Sequence, residues 1–249
     1  MKDFYTQWKN EEQMPFSGWD FSYLKDRKTE ELPPWDYISL AKELIKKSTS
    51  LLDVATGGGE VLFDLAPLPA QSFAIEGYLP NVEVAQKKLS SLGVKVISVE
   101  ATDAKQKYPF IDNQFDLVLN RHGGLNLGET YRVLSPGGSF LTQQASGDSL
   151  IDLASHFNSK LLWPDNTLSV IKEKAENLGF KIKKAEEWKG IIQFKDVGII
   201  VYFLKAIPWI VRDFSVDKHI DNLNTLQKRL EQDGYLNFTV GRFMILAEK

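Results

Sequence analysis

Apolar and polar positions follow two rhythms along this chain. Between residues 50 and 145, short apolar runs alternate with stretches in which apolar residues recur every third or fourth position. The runs "SLLDVA" (50–55), "SFAIE" (72–76), "VKVISVEA" (94–101), "FDLVLN" (115–120) and "SFLTQQA" (139–145) read as five strands. The stretches "GEVLFDLAPL", "NVEVAQKKLSSLG" (81–93) and "LNLGETYRVLS" (125–135) read as helices, stopped by prolines, by Gly93 and by "PGG". A further helix, "YISLAKELIKKS", precedes the first strand, with Asp36 placed to cap it. Apolar strands alternating with amphipathic helices predict a parallel sheet covered on both faces, with right-handed crossovers.

After residue 145 the rhythm changes. "NTLSVIKEKAENLGF" (166–180) is helical and "KIKKAEEWKGIIQF" is strand-like. "DVGIIVYFLKAIPW" is apolar throughout, which suits a buried helix capped by Asp196. "VDKHIDNLNTLQKRLEQDG" (216–234) has helical spacing, and "LNFTVGRFMILAEK" closes the chain as a strand. The two late strands are expected to pair antiparallel at the sheet edge, with 196–234 inserted between them. The fold class is thus α/β: a doubly wound, mostly parallel, seven-stranded Rossmann-like sheet with an antiparallel last strand. Residues 1–37 hold nine aromatic residues, too many for a disordered tail. They read as an arm, a candidate lid through Trp19, Phe21 and Tyr23, on a single domain spanning 38–249.

Composition narrows the function classes. The chain has no cysteine, so disulfides, thiol nucleophiles and cysteine metal sites are excluded. No persuasive cluster of acids suggests a metal site. Net charge is −3, and lysines are scattered among acids, so a nucleic-acid partner is not expected. The longest apolar run, 197–211, is broken by Lys205 and Pro208, which argues against a membrane span. The N-terminal "MKDFYTQWKNEEQ" lacks the apolar core of a signal peptide, and a cytoplasmic protein is expected.

The candidate chemistry begins at "LLDVATGGGE" (51–60), where the first strand runs into three consecutive glycines. Glycines here let a ligand approach the backbone at the carboxyl end of a parallel strand, and the following helix N-terminus is expected to receive a carboxylate. No GxxxxGK[ST] run is present, and GxGxxG fails in both registers. What remains is acid–x–small–x–Gly–x–Gly, from Asp53, Ala55, Gly57 and Gly59. Glu76 ends the second strand, where a carboxylate can accept both hydroxyls of a ribose.

With these features the chain resembles the class I S-adenosylmethionine-dependent methyltransferases over roughly residues 45–145. "LLDVATGGGE" is similar to their first motif, with Ala55 where glycine is usual, and "FAIEGY" to their second. "EATDAKQKYPF" (100–110) resembles the adenine-binding stretch, "FDLVLNRHG" the strand after it, and "YRVLSPGGSFL" (131–141) the next helix–turn–strand. The resemblance implies S-adenosyl-L-methionine as cofactor and S-adenosyl-L-homocysteine as product. It implies cofactor contacts from Asp53, Ala55, Thr56, Gly57, Gly59, Glu76, Gly77, Asp103, Ala104 and Asn120.

Methyl transfer is an in-line displacement that depends mainly on positioning. "NRHGG" (120–124) follows the fourth strand, where the active site is expected to open. His122 is the candidate general base, Asn120 can hold an acceptor and Arg121 can bind an anionic one. Gln143 and Gln144 end the fifth strand, and alternation lets only one face the pocket. The place after the fourth strand lacks the Pro-Pro-aromatic motif of the family's amino-methylating DNA and glutamine enzymes, which leaves a small-molecule acceptor. A non-catalytic S-adenosylmethionine-binding partner or sensor, and an NAD-dependent oxidoreductase, are the alternatives. Oligomeric state is not legible.

Overall fold

A computed structural model of the chain describes residues 3–16, 19, 21–99 and 106–249. Its sheet comprises β1 (Lys28–Glu30), β2 (Ser50–Val54), β3 (Gln71–Glu76), β4 (Lys95–Ser98), β5 (Phe115–Arg121), β6 (Leu134–Ala145), β7 (Lys181–Phe194) and β8 (Leu236–Glu248), in the spatial order β1-β7-β8-β6-β5-β2-β3-β4. The pairs β2/β3, β3/β4, β2/β5 and β5/β6 are parallel, and β6/β8, β7/β8 and β1/β7 are antiparallel. The chain enters the parallel block at β2, moves outward to β4, then returns to β2's other side as β5. That reversal puts the topological switch point between β2 and β5, where open α/β sheets bind ligands.

The sheet has eight strands, not the expected seven. The extra strand, β1, comes from the aromatic arm and covers Ile192, Gln193 and Phe194 at the end of β7. Three residues are too few to show a period, so the sequence carried no strand signal there. β7 and β8 form the expected antiparallel pair along their full lengths.

Nine helices flank the sheet among the described residues: α1 (Phe4–Gln13), α2 (Tyr37–Ile45), α3 (Glu60–Asp64), α4 (Leu79–Leu89), α5 (Leu127–Val133), α6 (Ile151–His156), α7 (Leu168–Leu178), α8 (Val197–Ala206) and α9 (Ile220–Asp233). Strand alternation divides the core between two faces. Leu51, Ala74, Leu117, Leu119 and Leu141 pack with residues of α2, α3 and α4. Leu52, Ile75, Val118 and Phe140 pack with residues of α5 and α7 on the other side.

The predicted caps form. The Asp36 carboxylate accepts the Ser39 N–H at 3.0 Å, and Asp196 accepts the Ile199 N–H at 2.8 Å. Each such cap stabilises its helix by about 1 kcal/mol. α8 is buried everywhere except Lys205, as an all-apolar helix must be. It sits in a third cluster with Trp8 of α1, Leu153 of α6, Leu223 and Leu226 of α9, and Phe194 and Phe238 of the sheet. Arg27 ties the arm to this cluster, reaching Glu11 of α1 at 2.7 Å and the capping Asp196 at 2.6 Å. No helix among the described residues is long and apolar enough to cross a membrane.

Candidate functional site

Alternation and register bring the candidate side chains to one place. Asp53 pairs with Ala74 on β3 and Leu119 on β5, and Arg121 pairs with Gln143 on β6. Asp53, Glu76, Arg121 and Gln143 therefore share the sheet face of α2, at the carboxyl ends of four strands. Asn120, Thr142 and Gln144 belong to the opposite face.

The bend after β2 is tightly specified. Ala55 and Gly57 adopt left-handed backbone, with φ of 57° and 63°. A left-handed alanine costs on the order of 1–2 kcal/mol, a cost that glycine at position 55 would not carry. Glu76 pins this bend: its Oε2 accepts the Gly57 N–H at 2.8 Å and its Oε1 accepts the Tyr78 N–H at 2.9 Å. Each oxygen keeps lone-pair capacity for a ligand hydroxyl. Tyr78, absent from the sequence-derived set, stands 64% exposed beside this carboxylate. The expected helix N-terminus is weaker than foreseen, because α3 has five residues and a short helix sums few peptide dipoles.

Burial pushes the Asp53 carboxyl up to about 7, the Thr56 hydroxyl counters part of this, and the Glu76 charge adds to it. The Thr56 hydroxyl is itself buried with no hydrogen-bond partner of ordinary geometry. The Asp53 carboxyl, the Thr56 hydroxyl and the bare backbone at Gly57 thus lie together at the bend, a set whose chemistry suits a polar, cationic group.

The tip of β5 departs from expectation in one respect. Asn120 is fully buried, and its amide donates to Val54 O at 2.9 Å and Gly124 O at 3.2 Å. Its oxygen accepts from Thr142 and from Gln144. All four hydrogen-bonding positions of its side chain are used within the protein, so the Asn120 amide clamps β5 to its neighbours. Gln144 belongs to that clamp. Gln143 faces the other way, where its Oε1 accepts the Trp35 indole N–H at 2.7 Å and its amide nitrogen lies 2.8 Å from His122 Nε2.

His122 has a left-handed backbone, φ 55°, a geometry that non-glycine residues adopt mainly where the surroundings impose it. The residue is exposed. The ring is nonetheless crowded by protein and flanked by the Arg121 and Arg242 guanidiniums, and these effects hold its pKa well below the ordinary histidine range. Arg121 is exposed and lies over the Tyr37 ring, 5.9 Å from its centroid. Among the described residues no acid forms an ion pair with it, whereas Arg242 pairs with Glu30.

The arm reaches the same place. The Trp19 indole lies against the bend: a Cβ on Gly57 would come within 2.5 Å of it. Trp19 also meets Trp209 at 5.7 Å between ring centroids, and Trp209 meets Trp163 at 6.2 Å. This aromatic row escaped the sequence reading because Trp163 and Trp209 sit in segments without periodicity. Asp103 and Ala104 lie outside the described residues. Gly77 follows Glu76 between β3 and α4. His156 and His219 are remote from the cleft, bonded to Asn222 O and Ser215 O.

Comparison with known proteins accords with this geometry. Residues 45–196 match the methyltransferase domain family. The chain is 32% identical over 126 residues to the ubiquinone/menaquinone biosynthesis C-methyltransferase UbiE of Neisseria meningitidis, covering 45% of this chain and 49% of that protein. It is 35% identical over 114 residues to the demethylmenaquinone methyltransferase of Thermus thermophilus, covering 42% and 50%. The chain thus spans about half the length of the curated relatives it matches. The solved structure of the YcgJ protein of Bacillus subtilis superposes with a TM-score of 0.59 at 18% identity, covering 86% of this chain and 97% of that one.

Proposed function

The chain belongs to the class I S-adenosylmethionine-dependent methyltransferase family, and from that premise we propose that it transfers a methyl group to a small-molecule acceptor held at the tips of β5 and β6. When bound, S-adenosylmethionine supplies a methyl carbon made electrophilic by its sulfonium. The chain's own residues do the rest. Asp53 and Thr56 offer the polar partners that the ammonium end of that cofactor needs, and Glu76 offers free lone pairs to ribose hydroxyls. Gly57 permits close backbone approach, and Tyr78 stands beside Glu76 as a surface for the adenosine. Trp19 covers the bend and excludes water from it. Arg121 and His122 stand on the acceptor side, and Asn120 keeps their strand in register.

The observation that carries the proposal is the double anchorage of Glu76 on Gly57 and Tyr78, which holds a strand-tip carboxylate against a bare-backboned bend. The small-molecule acceptor is supported by the names of the curated relatives, a ubiquinone/menaquinone biosynthesis C-methyltransferase and a demethylmenaquinone methyltransferase. The test is calorimetric titration with S-adenosylmethionine, S-adenosylhomocysteine and NAD, on the parent and on folded Glu76→Ala and Gly57→Val chains. The parent is expected to bind the first two and not the third, and both variants to lose affinity by tenfold or more. Equal affinity in parent and variants overturns the assignment. A screen with methyl-labelled cofactor over small acceptors then tests transfer, and binding without transfer to any acceptor replaces it with a sensor or partner role.

A further inference from the structure

The contact chain Trp35–Gln143–His122 fixes which proton the imidazole carries. An indole nitrogen can only donate a hydrogen bond. The group 2.7 Å from the Trp35 indole nitrogen must therefore be the oxygen of the Gln143 amide. The NH2 end of that amide then faces His122, 2.8 Å from Nε2, and it too can only donate. Nε2 must accept, so it carries no proton, and the neutral ring carries its proton on Nδ1. Trp35 and Gln143 are both buried, so water does not compete for the indole–amide bond that sets the orientation of the Gln143 amide. The charged groups around the ring, Arg121 on β5 and Arg242 on β8, oppose any gain of a second proton. Arg242 is itself paired with Glu30 on β1, while Arg121 forms no ion pair among the described residues and feels Asp53 and Glu30 only at a distance.

From this we infer that His122 acts as a hydrogen-bond donor through Nδ1 and not as a general base, and that the acceptor is an oxygen acid that enters already ionised, bound between the His122 Nδ1–H and the Arg121 guanidinium. The inference rests on the methyl-transfer reading. The basic lone pair of His122 is blocked by Gln143, and the other ring nitrogen already holds a proton, so the ring has no free site to take one. An ionised acceptor needs none: its oxygen lone pair forms the new bond to the methyl carbon, the carbon–sulfur pair stays on sulfur, and anion plus sulfonium give two neutral products. Trp35 and Gln143 are positioning residues for this arrangement, since they act through His122.

The test begins with the uniformly 15N-labelled full chain. Long-range 1H–15N spectra resolve the two nitrogens of each of its three histidines, and His122→Asn assigns the ring in question. The parent is expected to show protonated Nδ1 and bare Nε2, and to stay neutral through roughly pH 6–7, where ordinary histidines titrate. Gln143→Glu puts an acceptor-only group at Nε2 and is expected to turn the ring into an imidazolium at neutral pH. Trp35→Phe frees the amide to turn over and is expected to give a mixture of tautomers. A parent ring protonated on Nε2 overturns the inference, and that measurement requires no variant to fold.

In the acceptor screen, turnover is expected with ionised phenols or carboxylic acids and not with their neutral alcohol analogues. Arg121→Met is expected to raise KM for the ionised set roughly ten- to a hundredfold, the size of one hydrogen bond to a charged group. Turnover confined to neutral acceptors overturns the inference while leaving methyl transfer standing. Failure to bind S-adenosylmethionine at all overturns the methyl-transfer reading beneath it.

Discussion

Ala55 and Gly123 share one space: a Cβ on residue 123 would overlap the Cβ of Ala55 and crowd its carbonyl oxygen. The alanine at the position of a usual glycine is thus accommodated by a glycine across the cleft. Gly123→Ala is expected to destabilise the chain by about 1–3 kcal/mol through overpacking. Ala55→Gly removes the left-handed alanine and the obstruction together. The double variant is expected to recover most of the loss, giving a coupling of about 1 kcal/mol or more in a double-mutant cycle followed by urea unfolding. Additive effects would show that the two sites do not touch.

Cofactor affinity is expected to depend on pH through Asp53. Burial pushes its carboxyl up to about 7, so below that pH the empty cleft holds it mainly neutral. A cationic ammonium prefers the ionised form, and binding then releases a proton. Affinity for S-adenosylmethionine is expected to rise with pH up to about 7 and then level off, by at most about tenfold per pH unit. Calorimetry in buffers of different ionisation enthalpy reads the released proton directly, and Asp53→Asn abolishes it. The linked effect on folding has the opposite sense. A carboxyl whose folded pKa exceeds its unfolded value, about 3.9, leaves the chain most stable below that value and loses stability as pH climbs to about 7.

Trp19 connects the arm to the glycine bend. Trp19→Ala is expected to weaken S-adenosylmethionine binding about tenfold while shifting the unfolding midpoint little, because 43% of the residue is already exposed. A variant that loses stability but keeps affinity would make Trp19 a packing partner of Phe16, Phe21 and Trp209 and nothing more. Equilibrium binding and urea melts on the same preparation separate the two outcomes.

Arg27 bridges two acids from different elements. Removing it as Arg27→Met leaves Glu11, which is buried, and Asp196, which caps α8, without their cation. The expected cost is about 2–4 kcal/mol, smaller than for a fully buried pair because Arg27 and Asp196 are partly exposed. Asp196→Asn keeps an oxygen for the Ile199 N–H and loses one charge pair, and it is expected to cost about half as much. Chemical denaturation of the three chains tests this ordering.

Much of the scaffold was legible because its signals are local. Asp36 and Asp196 announce their helices by chemistry that acts within three residues. The acid at the end of "SFAIE" and the glycines after "LLDVA" follow from where strands end. The partners of the Asn120 side chain come from residues 54, 124, 142 and 144, so no local pattern announces its place in the hydrogen-bond network. The Gln143 contact to His122 is equally non-local. Trp35 enters the site from a segment that in sequence serves only to precede a helix. Tyr78 carries no signal in the sequence, because a single exposed aromatic after an acid has no period.

The outer rim of the sheet shows what β1 contributes to the behaviour of many copies together. Along most of its length the margin of β7 is guarded by charged side chains, Lys181, Lys183, Lys184 and Lys189 with the acids that three of them pair with, and burying these would cost an approaching ribbon their hydration. The guard lapses at Ile191 and Ile192, and there the backbone of Lys28–Glu31 takes up the vacant amides and carbonyls. A chain trimmed of its first 37 residues would therefore present a short, uncharged, sticky margin to its neighbours, and clumping in concentrated solution is the fate to look for.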